Sequence, residues 1–419
     1  MLKFSGEITD PIHKHIKLTD FEKELIDTPF FQRLRRIKQL AGAHLVYPSA
    51  QHSRFEHSVG SMHLAGLAGE HLLLDGTIKS TETIQELRVA SLLHDIGHGP
   101  FSHLFEEFLK TVKMENHEII GSKIIRETEV ADILNKYGYS PLEISKLSFG
   151  DSKIRYKNEI IAGSLSSDLM DYLPRDSFFT GAEYGKIDYN RIINSLKVIP
   201  GDRIALSDSA LSSFESMLIS RYQMFRAVYF HKTVRSVEVM LLNALIAAAR
   251  IINFADFSLS EYLNLTDDEI IFKIRSVTSN EICLSKQLIN NYLNRVLLKC
   301  VYEKFIQKKE NHHFVRDRKR LGIIKDRISD ISGVKEDDVF LDTAGISSVP
   351  LAPNKKEMKS LLLVSDEEAI KKSMSDIPLV NSISGYLDMI RVYATAKCRD
   401  VVKVTSKKVL EDEDLINVI

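Results

Sequence analysis

Cysteine is scarce in this 419-residue chain, with only Cys283, Cys300 and Cys398. An odd number without metal-type spacing excludes a disulfide framework or zinc ribbon and makes a reducing cytoplasm the expected location. An excess of one charge is also missing: 56 Lys and Arg face 57 Asp and Glu, for a net charge of −1. No global basic field is therefore available to hold nucleic acid. Long apolar runs are lacking too. The longest, Met240–Phe254, contains Asn243 and Arg250 and falls short of a bilayer span, so no membrane partner is expected. The first ten residues place Lys3, Glu7 and Asp10 where a signal peptide needs an apolar core. No internal repeat is visible. With 44% hydrophobic and 27% charged residues, what remains is a globular protein of about two or three domains, able to bury a sizeable core.

Helical periodicity dominates up to about residue 250, and capping signals place the elements. Ser53-Arg54-Phe55-Glu56 reads as a capping box opening a helix through Val59, Met62, Leu67 and Leu72, with His57 in its first turn. Thr83-Ile84-Gln85-Glu86 reads as a second box, and Ile84, Leu87, Ser91 and His94 follow at spacings of three and four. That spacing puts His94 at the inner end of a buried face. Gly97, Gly99 and Pro100 end this helix. Helical character resumes over Phe101–Lys110, around His117–Glu127, and over Ser164–Leu173, where Pro174 stops it. Ser212–Arg250 reads as long helix, whole or broken.

After about residue 255 the texture changes. Thr266-Asp267-Asp268-Glu269 starts a helix, whereas Val339–Leu351 and Leu387–Ala396 read as strands. The second strand alternates Met389, Arg391, Tyr393 and Thr395 against Ile390, Val392 and Ala394. The stretch Lys304–Arg327 is basic, with Arg316, Arg318, Lys319 and Arg320 close together. A solvated face is the plainer reading of it, a patch for an anionic partner the other. The fold class expected is mainly α, a helical core over residues 1–255 with a smaller α+β region over 256–419.

Histidine is what the chain concentrates: nine of its 14 lie between His44 and His117. In Leu92–His103, three imidazoles and one carboxylate surround a glycine-rich break. A metal that activates water for phosphate chemistry wants a few nitrogen and oxygen ligands with positions left open. His57, His94, Asp95 and a later acid supply that set. Neighbouring helical residues point about 100° apart, so His94 and Asp95 reach one ion only at a helix end or where a second helix comes between, and Gly97 marks such an end. A single buried His beside a capping Asp is ordinarily structural; the set with its glycines reads as a site.

Four blocks stand in collinear order: Arg54-Phe55-Glu56-His57-Ser58, His94-Asp95-Ile96-Gly97-His98-Gly99-Pro100-Phe101-Ser102-His103, Asn116-His117-Glu118, and Asp168-Leu169-Met170-Asp171-Tyr172-Leu173-Pro174-Arg175-Asp176. With Ile26-Asp27-Thr28-Pro29 and Gln39-Leu40, the chain from roughly residue 5 to 250 resembles the HD-domain metal-dependent phosphohydrolases, and among them the deoxynucleoside-triphosphate triphosphohydrolases. The resemblance implies a helical HD-domain core with His57, His94, Asp95 and Asp168 as ligands of a divalent metal ion. Mn, Fe, Mg, Ni and Zn all suit that set. It further implies a dNTP substrate cleaved at the α-phosphate into deoxynucleoside and triphosphate.

By the same resemblance His103 and His117 supply the leaving-group proton, with Glu106 orienting an imidazole. His98, Arg54 and Arg221 contact phosphate. Tyr172 and Asp176 meet the sugar, Asp171 joins them as a substrate-binding residue, Gln39 and Leu40 meet the sugar edge and base, and Tyr229 the space near the 2′ carbon. Core packing is the ordinary reading of both tyrosines. Asp27, Gln32 and Arg35 resemble a site for a regulatory guanine nucleotide built between subunits of a homo-oligomer, although Gly6 stands where a lysine is expected. The basic stretch Phe31–Lys38 reads equally as a solvated face over Leu34 and Ile37.

Two positions depart from the family pattern. Leu169 replaces a Lys or Arg that reaches the phosphates, and Ser166 stands at an often acidic position. These departures keep open a second enzyme reading, hydrolysis of a nucleoside monophosphate or signalling nucleotide. A third reading is a non-catalytic nucleotide sensor or single-stranded nucleic-acid binder using the basic 304–327 stretch; the retained ligand set argues against it.

Overall fold

In the computed structural model the described residues are 2–112, 115–306, 318–347, 360–364, 369–373 and 386–411. They form two compact units, each drawn from separate stretches of chain. The first takes residues 2–224 and 255–270 with two short strands within 349–382; the second takes 225–254 and described parts of 271–348 and 383–419.

The first unit opens with a hairpin, β1 (Gly6–Asp10) and β2 (Lys14–Leu18). The Asp10 carboxylate closes its turn by accepting the backbone N–H groups of Ile12 and His13, both at 2.9 Å, and Lys14 takes the left-handed φ of 65°. Helix α1 (Asp20–Ile26) starts at a reciprocal Thr19/Glu22 capping box. A short α2 (Pro29–Gln32) and a 3-10 turn over Arg33–Arg36 follow. The framework is then α3 (Arg54–Leu74), α4 (Thr81–Leu93), α5 (His103–Val112), α6 (His117–Glu127), α7 (Glu129–Lys136), α8 (Pro141–Ser148), α9 (Arg155–Ala162), α10 (Ser167–Thr180) and α11 (Tyr189–Ile193). The hairpin β3 (Leu196–Ile199) and β4 (Arg203–Ser207) precedes α12 (Leu211–Met224).

Helix α3 begins at the expected Ser53/Glu56 capping box. Its glycines let polar groups and α4 come close: a Cβ at Gly66 would strike the Arg88 side chain, and one at Gly69 would stand 3.3 Å from Ile84. Arg88 is buried, and its Nε and Nη2 donate to both carboxylate oxygens of the fully buried Glu22 at 2.6 and 2.8 Å.

The second unit starts with a π-helical turn over Phe225–Tyr229 and α13 (Lys232–Ala248). The chain returns to the first unit with α14 (Leu259–Asn264), and α15 (Asp267–Ser276) leads away again. In the second unit α16 (Cys283–Leu293), β5 (Lys299–Ile306), α17 (Arg318–Ser332) and β6 (Val339–Ser347) follow. Strands β7 (Ser360–Val364) and β8 (Ala369–Ser373) join β3 and β4 in the first unit's sheet, in the order β3-β4-β7-β8. Finally β9 (Tyr386–Ala394) lies between β5 and β6, antiparallel to both, and α18 (Arg399–Glu411) covers that sheet with α17. The alternation along β9 holds: Ile390, Val392 and Ala394 enter the core with Ile328 and Val402, while Met389 packs on Phe225 and Phe230. The result is the mainly α fold with a smaller α+β part that the sequence predicts.

Several local expectations are corrected. Ser80, in extended conformation, starts α4, so Thr83 stands within the first turn and caps nothing. Helix resumes at His103, because Phe101 and Ser102 are held at φ 57° and 56°. Helix α10 runs through Pro174 to Thr180. Proline inside a helix costs about 3 kcal/mol, and buried ion pairs of Arg175 and Asp176 on the following turn oppose that cost. The long helix over Ser212–Arg250, left open as whole or broken, is broken at the π-turn, where the Phe230 N–H reaches the Phe225 carbonyl at 2.7 Å. Arg33, expected on a solvated face, is 1% exposed. Residues 307–317 and 348–351, in the expected basic and strand stretches, lie outside the described residues.

Glu22→Gln leaves Arg88 buried against a neutral partner. Removing one member of a buried pair costs about 3–5 kcal/mol, so a clear fall in denaturation midpoint is expected in urea unfolding followed by circular dichroism.

Candidate metal centre

Three helix ends of the first unit converge. The first turn of α3 presents Arg54 and His57, the C-terminus of α4 presents His94 and Asp95, and the first turn of α10, capped by Ser166, presents Asp168. One ligand atom each from His57, His94 and Asp168 lies within 4.8 Å of the others. His57 Nε2 is 3.1 Å from Asp168 Oδ1 and 3.6 Å from Asp95 Oδ2; His94 Nε2 is 3.3 Å from Asp95 Oδ1 and 3.8 Å from Asp168 Oδ1.

The opposite ring nitrogens fix the tautomers. His57 Nδ1–H donates to Asp171 Oδ2 at 2.8 Å, and His94 Nδ1–H to the Ser91 carbonyl at 2.6 Å. Both Nε2 atoms therefore turn lone pairs toward carboxylates, and His94 Nε2 is buried without a hydrogen-bond partner. Lone pairs and carboxylates facing one another repel unless positive charge stands between them. Burial disfavours the His57 imidazolium, yet Asp168, Asp171 and Asp95 push its pKa up to about 10; Asp95 and Asp168 likewise raise His94 against burial. The arrangement thus recruits protons where a cation would serve, and its two-nitrogen, two-carboxylate donor set fits a divalent metal. The Asp168 side chain is 38% exposed against 1% for His57, so open positions would lie on the Asp168 side.

A second cluster lies beside Asp95. His98 Nε2 is 3.3 Å from Asp95 Oδ1, and its ring stacks on His117 at 3.9 Å. Burial, with the charges of Arg54 and His117, holds the His98 pKa well below its usual value. His117 Nδ1–H donates to Glu106 at 3.0 Å, while the exposed His103 lies 3.7 Å from the same oxygen. Burial raises the Glu106 pKa, but His103, His117 and Lys110 prevail and keep it ionised.

A family model described as HD domain matches residues 54–174, and one described as HD associated region matches 187–414. The chain belongs to the HD-domain family. An uncharacterized protein of Methanocaldococcus jannaschii is 34% identical over 381 residues, covering 90% of this chain and 75% of that one. The deoxynucleoside triphosphate triphosphohydrolase SAMHD1 homolog of Dictyostelium discoideum is 33% identical over 320 residues, 72% of this chain and 61% of its own length. The chain thus spans less than two thirds of that relative. The crystal structure of a hypothetical protein from Aquifex aeolicus aligns over 96% of this chain and 99% of its own with a TM-score of 0.76 and 28% identity.

Within this HD core the other expected residues fall in different surroundings. Arg54 donates to Asp95 Oδ2 at 2.5 Å and to Ser102 Oγ at 2.8 Å, leaving Nη2 buried without a partner. Gln39 and Leu40 are half-buried, and Gln39 Oε1 is unpartnered. Burial pushes the Tyr172 hydroxyl up to about 12, with the Arg221 charge near enough to oppose it. Asp171, expected at the substrate, is fully buried and holds His13, His57 and Arg175. Asp176, expected at the sugar, is 1% exposed and accepts from His52 at 2.8 Å. Leu169 is 4% exposed, packed into the core. Asp27 caps α1 at the surface, and Arg35 Nε donates to Gln32 at 2.9 Å. Tyr229 belongs to the second unit, 4.8 Å from the Phe225 ring.

What the sequence reading missed is the clamp on the glycine-rich loop. Asp267 accepts the backbone N–H of Phe101 at 2.7 Å and of Lys38 at 3.1 Å. The Tyr262 hydroxyl donates to the Gly97 carbonyl, and Arg33 donates to the carbonyls of His98 and Leu265. A Cβ on Gly97 would overlap the backbone of His117 and Gly121. No local motif signals this clamp, since its partners lie up to 232 residues apart.

Burial raises the Asp267 pKa to about 6, although the Phe101 and Lys38 N–H groups favour its charged form. A carboxyl raised in the folded state contributes stability fully present below its unfolded pKa near 3.8 and lost as pH rises through about 6. Melting curves between pH 4 and 8 should show a stability loss in the wild type that Asp267→Asn lacks.

Proposed function

We propose that this protein is a metal-dependent HD phosphohydrolase that converts deoxynucleoside triphosphates to deoxynucleoside and inorganic triphosphate. The observation that carries the reading is the pair of tautomer-fixed Nε2 lone pairs, on His57 and His94, set against Asp95 and Asp168. These four residues would hold a divalent ion, which would polarise the α-phosphate and lower the pKa of water from 15.7 toward about 7. The triphosphohydrolase name of the Dictyostelium relative supports the substrate class.

The side chains around this set divide the remaining work. The unpartnered Nη2 of Arg54 donates to a phosphate oxygen, and Arg221 adds positive charge beside Tyr172. The neutral His98 accepts or donates one hydrogen bond at the phosphate without adding charge. His117 gives the leaving 5′-oxygen its proton, and the ionised Glu106 orients that imidazole and stabilises its charged form. His103 stands ready for the same role. Gln39, Leu40 and Tyr172 meet the nucleoside.

Leu169 favours a second reading within the same chemistry. Its burial removes a charge-assisted hydrogen bond worth about 1.5–3 kcal/mol to a phosphate chain, so a nucleotide with fewer phosphates suffers less from the replacement. A regulatory guanine nucleotide at Asp27, Gln32 and Arg35, and an assembly formed through the N-terminal and C-terminal regions, complete the proposal; unchanged size-exclusion mass and activity on adding GTP or dGTP would remove this part.

Incubation with each dNTP and rNTP in Mn²⁺, Mg²⁺ or chelator, with products resolved chromatographically, tests the main reading. Deoxynucleoside and intact triphosphate, absent with chelator and in Asp95→Asn, are expected; turnover confined to monophosphates replaces the first reading by the second. His117→Ala should lower kcat by about 10²–10⁴-fold while Mn²⁺ affinity, measured by calorimetry, stays unchanged.

A further inference from the structure

The N-terminal hairpin reaches the metal ligand His57 through one buried carboxylate. Asp171 is fully buried, and four donors occupy its two oxygens. Oδ2 accepts from His57 Nδ1 and Arg175 Nε, both at 2.8 Å. Oδ1 accepts from His13 Nε2 at 2.7 Å and Arg175 Nη2 at 2.8 Å. These contacts use the whole acceptor capacity of a carboxylate. Arg175 Nη1 in turn donates to Asp10 Oδ2 at 2.8 Å, while the other Asp10 oxygen closes the hairpin turn that carries His13. The space is reserved by a residue on the facing helix: a Cβ at Gly60 would overlap Asp171 Oδ1 and Arg175 Nη2.

We propose that His13, Asp10, Arg175 and Asp171 are positioning residues of the metal centre, and that the β1–β2 hairpin is a working part of it. The inference rests on the metal reading of His57, His94, Asp95 and Asp168. Asp171 makes His57 keep its proton on Nδ1, so that Nε2 presents its lone pair to the ion. A carboxylate with one donor swings; one with four is fixed, and the imidazole it holds is fixed with it. His13 removes the last freedom of Oδ1, and Asp10 locks Arg175 and the turn together. A group bonded directly to a ligating imidazole, as Asp171 is to His57, typically changes metal affinity by about 10–100-fold when lost; His13 acts through Asp171, one hydrogen bond further out.

The test is Mn²⁺ affinity, read from the electron paramagnetic resonance signal of the free ion, with the melting temperature of the chelator-treated protein as a control. His13→Leu keeps most of the side-chain volume and removes the N–H, whereas His13→Gln keeps an amide donor. Weakening of about tenfold, the lower end of that range because His13 stands one hydrogen bond further out, is expected in His13→Leu, with His13→Gln within about threefold of the wild type. Equal affinity in all three overturns the inference, and so does equal weakening in both variants, because packing and not the donor is then responsible. Absence of binding of Mn²⁺, and in calorimetry of Fe²⁺, Mg²⁺, Ni²⁺ and Zn²⁺, by the wild type overturns the metal reading itself, so the two failures are told apart. A melting temperature that falls equally in both variants while their affinities differ still supports the role of the donor.

Discussion

Three carboxylates, Asp95, Asp168 and Asp171, crowd the buried His57 ring, and the surrounding structure depends on balancing their charge. Ionised groups withdrawn from water persist only when opposite charge and hydrogen bonds replace the lost hydration. Arg175 and His13 answer Asp171, Arg54 answers Asp95, and Asp168 faces partly outward. What these partners leave unanswered lies between the two histidine Nε2 atoms, in a group that could hold a cation. Structural stability and metal chemistry at this point are two aspects of a single electrostatic problem.

The glycines follow from the same crowding. Gly60 admits the Asp171–Arg175 pair, Gly66 admits Arg88 beside Glu22, and Gly97 admits the backbone of α6. In each case the missing Cβ makes room for a polar group or a main chain that must come close. The left-handed Phe101 and Ser102 are strained positions for side chains of their kind, and the Asp267, Tyr262 and Arg33 bonds to the surrounding loop oppose that strain.

Local information made much of the architecture legible. The Ser53 cap, the helix His117–Glu127 and the alternation along β9 depend on residues a few positions apart, and periodicity or capping chemistry reveals such elements. The proximity of His57, His94 and Asp168 was legible only because whole motifs stand together. Pro174 misled because a helix can absorb a local penalty when tertiary ion pairs hold its next turn. The partners of Asp171 and Asp176 were not legible for a related reason: a motif shows which carboxylates are nearby, while their bonds to His13 and His52 come from more than a hundred residues earlier.

The path of the chain has a consequence for biosynthesis. The loop carrying His98 is complete in sequence 166 residues before Asp267, the group that accepts the Phe101 N–H. At ribosomal rates of about 5–20 residues per second, roughly 10–30 s separate the two. During that interval the nascent chain can assemble the helices bearing His57, His94 and Asp168, but Phe101 and Ser102 must wait without Tyr262 and Asp267. The His57, His94 and Asp168 half of the centre is thus available to the emerging polypeptide well before the loop beside it acquires its final restraint, and maturation of the site is completed by a segment that follows an excursion through the second unit.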